Sequence, residues 1–146
     1  MRGTLTLFLV AAVAAACSSC STDPGSSPTI SVGGTYQTAV TMVSNSCPGQ
    51  TVEQHTTVVS QVPGRATLSL THAGSTYSGT LTADGAFSTP PVTQVFGGIN
   101  YAISITGQFT ETSIDALVLV EAGRQPPCSF TARWAGPKSG NPNVIP

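Results

Sequence analysis

The side chains that could do chemistry are few and far apart. The chain has two histidines, His55 and His72. His55 lies in the polar run Glu53-Gln54-His55-Thr56-Thr57 and reads as solvated. His72 keeps the parity of Leu68 and Leu70 on an alternating segment, so it should face inward or sit at a rim. Asp115 and Glu121 share a face, but six residues of extended chain put them roughly 20 Å apart. Acid–base work by paired carboxylates needs a much closer pair. A nucleophile triad needs a serine, a histidine and an acid that converge, and no segment here carries a strand-turn-helix elbow. Apart from Cys17 and Cys20 at the end of the leader, no Cys or His pair has metal-ligand spacing. The chain therefore reads as neither an enzyme nor a metal or cofactor protein.

The stronger candidates are aromatic and aliphatic. Tyr36, Tyr77, Tyr101, Phe109, Phe130 and Trp134 fall on the inward parity of their segments, as do Leu68, Leu70, Ile103 and Ile105. Together they could line a cavity for a small apolar or amphipathic ligand, with tyrosine hydroxyls to orient it. Gly79 and Gly107 share that parity and could leave room for such a ligand or relieve curvature. A packed core is the competing use of the same residues.

The elements that carry these residues are strands. Alternation with period two runs through most of the chain after Ile30. It is clearest where Tyr101, Ile103, Ile105, Gly107 and Phe109 face one way and Ala102, Ser104, Thr106 and Gln108 the other. Turn signals divide the pattern: Pro63-Gly64, Ala73-Gly74-Ser75, Asp84-Gly85, Gly97-Gly98 and Gly123 to Pro127. Eight strands are predicted, at about 34–43, 52–61, 66–72, 75–82, 86–95, 100–110, 113–122 and 128–135. Segment 113–122 is apolar on both faces, which predicts cover on both sides. Short connections make an antiparallel up-and-down arrangement, and closing it into an eight-stranded barrel hides the edges. A two-sheet β-sandwich uses the same strands.

Composition agrees with an all-β chain of low charge. Charged residues are 8% of the sequence, against about 25% in a typical domain. Thr and Ser supply the polarity, and Thr suits the wet face of a strand. Four scattered basic residues beyond Arg2 make no patch for nucleic acid.

The first residues carry an address. Arg2 precedes the apolar run Leu5 to Val10 and the small run Ala11 to Ala16, a secretory signal too short to span a bilayer. Ala14-Ala15-Ala16-Cys17 resembles the lipobox of bacterial lipoproteins. The resemblance implies removal of 1–16, lipidation of Cys17, and a lipid bilayer as a partner. Ser18 is not the Asp that holds some lipoproteins at the inner membrane, so it further implies an envelope protein of the outer membrane. Residues 17–29 follow as a flexible tether, 30–136 as the β-barrel domain and 137–146 as a C-terminal tail. In an oxidising compartment, Cys47 and Cys128 are the expected disulfide, leaving Cys20 in the tether.

The barrel itself resembles the lipocalin-like group. Gly33-Gly34-Thr35-Tyr36 opens the first strand much as a Gly-x-Trp motif opens a lipocalin, and Arg133-Trp134 is similar to the basic–aromatic pairing at a lipocalin barrel base. That resemblance implies carriage of a small apolar ligand. Ser75-Thr76-Tyr77-Ser78-Gly79 is similar to the Ser/Gly-rich loop of envelope lysozyme inhibitors, which implies an interaction with another envelope protein instead. A passive envelope component is the third reading.

Overall fold

The computed structural model describes residues 29–146. The expected signal, the lipidated Cys17 and nearly all of the tether lie outside the described residues.

The described chain is all-β, with ten strands. They are β1 (Gly34–Tyr36), β2 (Ala39–Asn45), β3 (Thr57–Ser60), β4 (Thr67–His72), β5 (Ser75–Leu81), β6 (Ala86–Ser88), β7 (Val92–Phe96), β8 (Ile99–Phe109), β9 (Ser113–Ala122) and β10 (Cys128–Pro137). All pairings are antiparallel and belong to one curled sheet, not to the two sheets of a sandwich. The order is β1-β3-β4-β5-β6-β8-β9-β10-β2, with β7 also on β8. β1 pairs with β3 while β2 pairs with β10, and only Gln37 and Thr38 separate β1 from β2. One line of chain thus touches both flanks of the sheet, which gives the fold its barrel-like form.

Ten strands replace the expected eight because two of the predicted strands break. The first breaks where the chain changes partner. Thr38 N–H donates to Tyr36 O at 3.0 Å, a γ-turn bond, and Gln37 N–H donates to Pro137 O at 2.8 Å. Gly136 permits this approach: a Cβ there would lie 1.9 Å from Gln37 O. The second break falls at Thr89-Pro90-Pro91, between β6 and β7. Neither proline has an N–H for the ladder. Thr89 covers the gap, with its N–H on Ile105 O at 2.8 Å and its Oγ1 taking Ile105 N–H at 3.0 Å. β6 pairs with both β5 and β8, whereas β7 pairs with β8 alone, so β7 leaves β5 unpaired along a seam. The expected strand over 52–61 shrinks to β3. Its first half is held instead by the Gln54 carboxamide, which accepts from Val40 N–H at 2.8 Å and donates to Val40 O at 2.7 Å.

The interior has two unlike ends. At one end the core is filled. Tyr36 packs on Phe109 with ring centroids 5.5 Å apart, and Phe87 packs on Phe109 at 4.7 Å. The Tyr36 hydroxyl lies 2.7 Å from both Val32 O and Asn143 Oδ1, and burial pushes its pKa above the usual tyrosine range. Residues 137–146, read as a tail, close this end. Ser31 and Val144 exchange backbone hydrogen bonds, Asn143 is buried, and Ile145 packs on the core. The room expected at Gly79 and Gly107 is already taken: a Cβ would meet Ser88 O at 2.2 Å in the first case and the Phe87 ring at 2.7 Å in the second.

Segment 113–122 corrects another expectation. Ala116, Val118, Val120 and Ala122 are buried, but Leu117 and Leu119 on the outer face are 47% and 41% exposed. No second layer packs there among the described residues. Asp115 also faces out and pairs with Arg133 on the neighbouring strand. The guanidinium holds the Asp115 carboxyl below its ordinary pKa.

Candidate functional site: the open end of the barrel

At the opposite end, the inward side chains stop short of filling the interior and leave a cavity of about 410 Å³. That volume falls within the range of about 300–1,000 Å³ found for small-ligand sites. Its floor is made by strand residues of inward parity: Tyr77, Ile103, Val118, Val120, Phe130 and Trp134. One wall is the 46–56 connection, which contributes Gln50, Val52, Glu53 and His55. The other side is the seam, where Ser75 on β5 and Gln94 on β7 touch only through side chains, Oγ to Oε1 at 3.3 Å. A smaller hollow of about 230 Å³ adjoins, sharing Gln50, Phe96, Ile103, Val120 and Phe130 and adding Tyr101.

The wall is pinned at its start by the Cys47–Cys128 disulfide, which joins the loop after β2 to the first residue of β10. The sequence separation is 81 residues. In the chain-entropy account, closing a loop of that size restricts the unfolded state by about 4–5 kcal/mol. The Gln54–Val40 clamp pins the wall's other half.

The polar content of the cavity centres on His72. Its ring stacks on Trp134, with centroids 3.7 Å apart and planes 10° apart. One ring nitrogen, Nδ1, lies 2.9 Å from Thr57 Oγ1. Thr57 Oγ1 is 3.0 Å from Thr38 Oγ1, which donates to His55 O at 2.7 Å. This chain of hydroxyls fixes the imidazole plane. His55 stands edge-on to His72 at 5.5 Å and reaches Glu53, Nε2 to Oε2 at 3.4 Å. Burial, and then the nearby His55, lower the His72 pKa from 6.5 to about 4. His72 is therefore a neutral, orientable hydrogen-bonding group at pH 7, with a pKa too low for an efficient general base there.

The residues proposed from sequence divide between the two ends. Tyr77, Ile103, Phe130 and Trp134 line the main cavity, and Tyr101 lines the adjoining hollow. Tyr36, Leu68, Leu70, Ile105 and Phe109 are buried in the filled core and touch neither space. Val118 and Val120 share the parity that selected the others, so that signal was readable. His55, expected in solvent, is half-exposed and joins the wall. Gln50, Gln94 and Phe96 reach the site from a loop and from a strand displaced by Pro90-Pro91, and no periodicity announces them. Arg133 points outward to Asp115 while Trp134 points inward, and Tyr36 lies at the far end. The motif pair likened to a lipocalin base therefore does not assemble. Residues 75–79 form β5 rather than an inhibitor-type loop.

Fold and site together define a class: a small disulfide-stapled, barrel-like β protein with one filled end and one end hollowed by aromatic and aliphatic side chains. No protein-family model, curated protein or solved structure matches the chain.

Proposed function

We propose that this protein is an envelope-anchored binding module that takes a small apolar or amphipathic ligand into the open end of its barrel. The observation that carries this reading is the cavity of about 410 Å³ floored by Tyr77, Ile103, Val120, Phe130 and Trp134. Buried apolar surface contributes roughly 25 cal/mol per Å² removed from water, so an apolar body entering this floor gains most of its binding there. His72 and Gln94 are the polar groups placed to orient it. The lipobox-like Ala14-Ala15-Ala16-Cys17 supports anchoring through acylated Cys17, and the disulfide fits an oxidising envelope compartment.

The test is native mass spectrometry of the protein isolated from its own envelope. An added mass that leaves on denaturation, and is absent from a Val120→Phe variant that crowds the cavity floor, is the expected result. A bare mass in both, with no change in the emission of Trp134 on adding apolar probes, would overturn the reading. Trp134 is the sole tryptophan of the chain, so its emission reports on this cavity alone.

A further inference from the structure

The open end holds one cation that the protein leaves without a counter-charge. Among the described residues, the ion pairs are Glu53–His55 and Asp115–Arg133, and neither includes Arg124. Arg124 lies in the 123–127 connection between β9 and β10. Its Nη2 donates to the Tyr101 hydroxyl at 3.2 Å. Its Nε is the one buried side-chain polar atom, among the described residues, with no hydrogen-bond partner. Leaving a buried donor unpaired costs about 1–3 kcal/mol, and more for a charged group, so native structures seldom keep one without use. Tyr101 accepts from the arginine, which leaves its own O–H free to donate. The same tyrosine lines the hollow of about 230 Å³ with Phe96, Phe130, Ile103 and Val120. Arg65 and Lys138 stand at the filled end and Arg133 is paired outside.

We infer that Arg124 and Tyr101 form a head-group subsite for an oxyanion, and that the ligand of the cavity is an amphiphile with a single carboxylate-type head and an apolar tail. The inference rests on the binding reading above and names its ligand class. Tyr101 lines the hollow and its hydroxyl holds the Arg124 guanidinium behind it, and phenolic O–H and guanidinium N–H are both donors that a carboxylate accepts well. The apolar floor then receives the tail.

The experiment titrates the purified full chain with laurate and with 1-dodecanol at pH 7, following Trp134 emission. The two probes share their tail and differ at the head. Laurate is expected to bind at least about tenfold more tightly, a difference of 1.4 kcal/mol. In Arg124→Gln the laurate-to-dodecanol affinity ratio falls to near one, and Arg124→Lys, which keeps the charge but not the fork, restores part of it. Because the readout is a ratio on one protein, general damage to the fold cancels. Equal affinity for the two probes in the native chain overturns the head-group subsite while the cavity reading stands. A ratio unchanged by Arg124→Gln also overturns it. If neither probe binds, both inferences fall.

Discussion

Acidification should weaken this fold through His72, and the size of the effect separates two opposing forces. The folded-state pKa of about 4 lies below the unfolded value of 6.5. The unfolded chain therefore binds the proton first as pH falls. The stability that depends on neutral His72 is intact above pH 6.5 and is lost progressively down to about pH 4. At about 1.4 kcal/mol per pH unit, that gap is worth about 3 kcal/mol. The Trp134 face, stacked at 3.7 Å, opposes the loss, because a cation over an indole ring gains about 0.5–2 kcal/mol. The expected net loss is thus about 1–3 kcal/mol. His55, edge-on at 5.5 Å, is the second cause, after burial, that disfavours charge on His72. The assay is urea unfolding at pH 7, 5.5 and 4.5 for the native chain and His72→Gln, followed by Trp134 fluorescence. The variant should be less stable at pH 7 but should lose less between pH 7 and 4.5. Equal losses in the two proteins would mean that His72 is not the titrating group. A native chain that gains on the variant at low pH would mean that the indole stack outweighs desolvation.

Three further outcomes follow from the geometry. Replacing Cys47 and Cys128 with alanine should lower unfolding stability by up to about 4–5 kcal/mol, read as a drop in the urea midpoint, and should weaken ligand binding because the 46–56 wall loses its anchor. Gly136→Ala forces a Cβ to within 1.9 Å of Gln37 O. It should cost about 3 kcal/mol or more by overpacking, seen in thermal melts, whereas Gly140→Ala, with open space around it, should lose only through its positive φ of 84°. Tyr36→Phe leaves Asn143 Oδ1 and Val32 O without the hydroxyl. The expected loss is about 1–3 kcal/mol with ligand affinity unchanged, since Tyr36 belongs to the filled end; a loss of affinity would refute that division.

Much of the architecture was legible in residue order. Period-two alternation named the inward faces of β4, β5, β8 and β10, because a strand's side-chain period is two whatever surrounds it. The turn dipeptide Asp84-Gly85 and the spacing of Cys47 and Cys128 were equally local or compartmental signals. Parity, however, says only that a side chain points inward, not whether the interior at that height is filled. Tyr36 and Tyr77 carry the same signal, yet one is fully buried against Phe109 and the other floors a cavity. That difference depends on which side chains meet across the barrel. The residues that meet are brought there by long-range choices: Gly136 letting Gln37 change partner, Pro90-Pro91 parting β7 from β5, and 137–146 folding back over one end only. The first and last are interactions between segments distant in the chain, and the prolines act by leaving β7 a single partner, β8. The sequence by itself therefore determined most strand segments and their inward faces, and only the tertiary structure decided where strands break to change partner and which inward faces enclose a space.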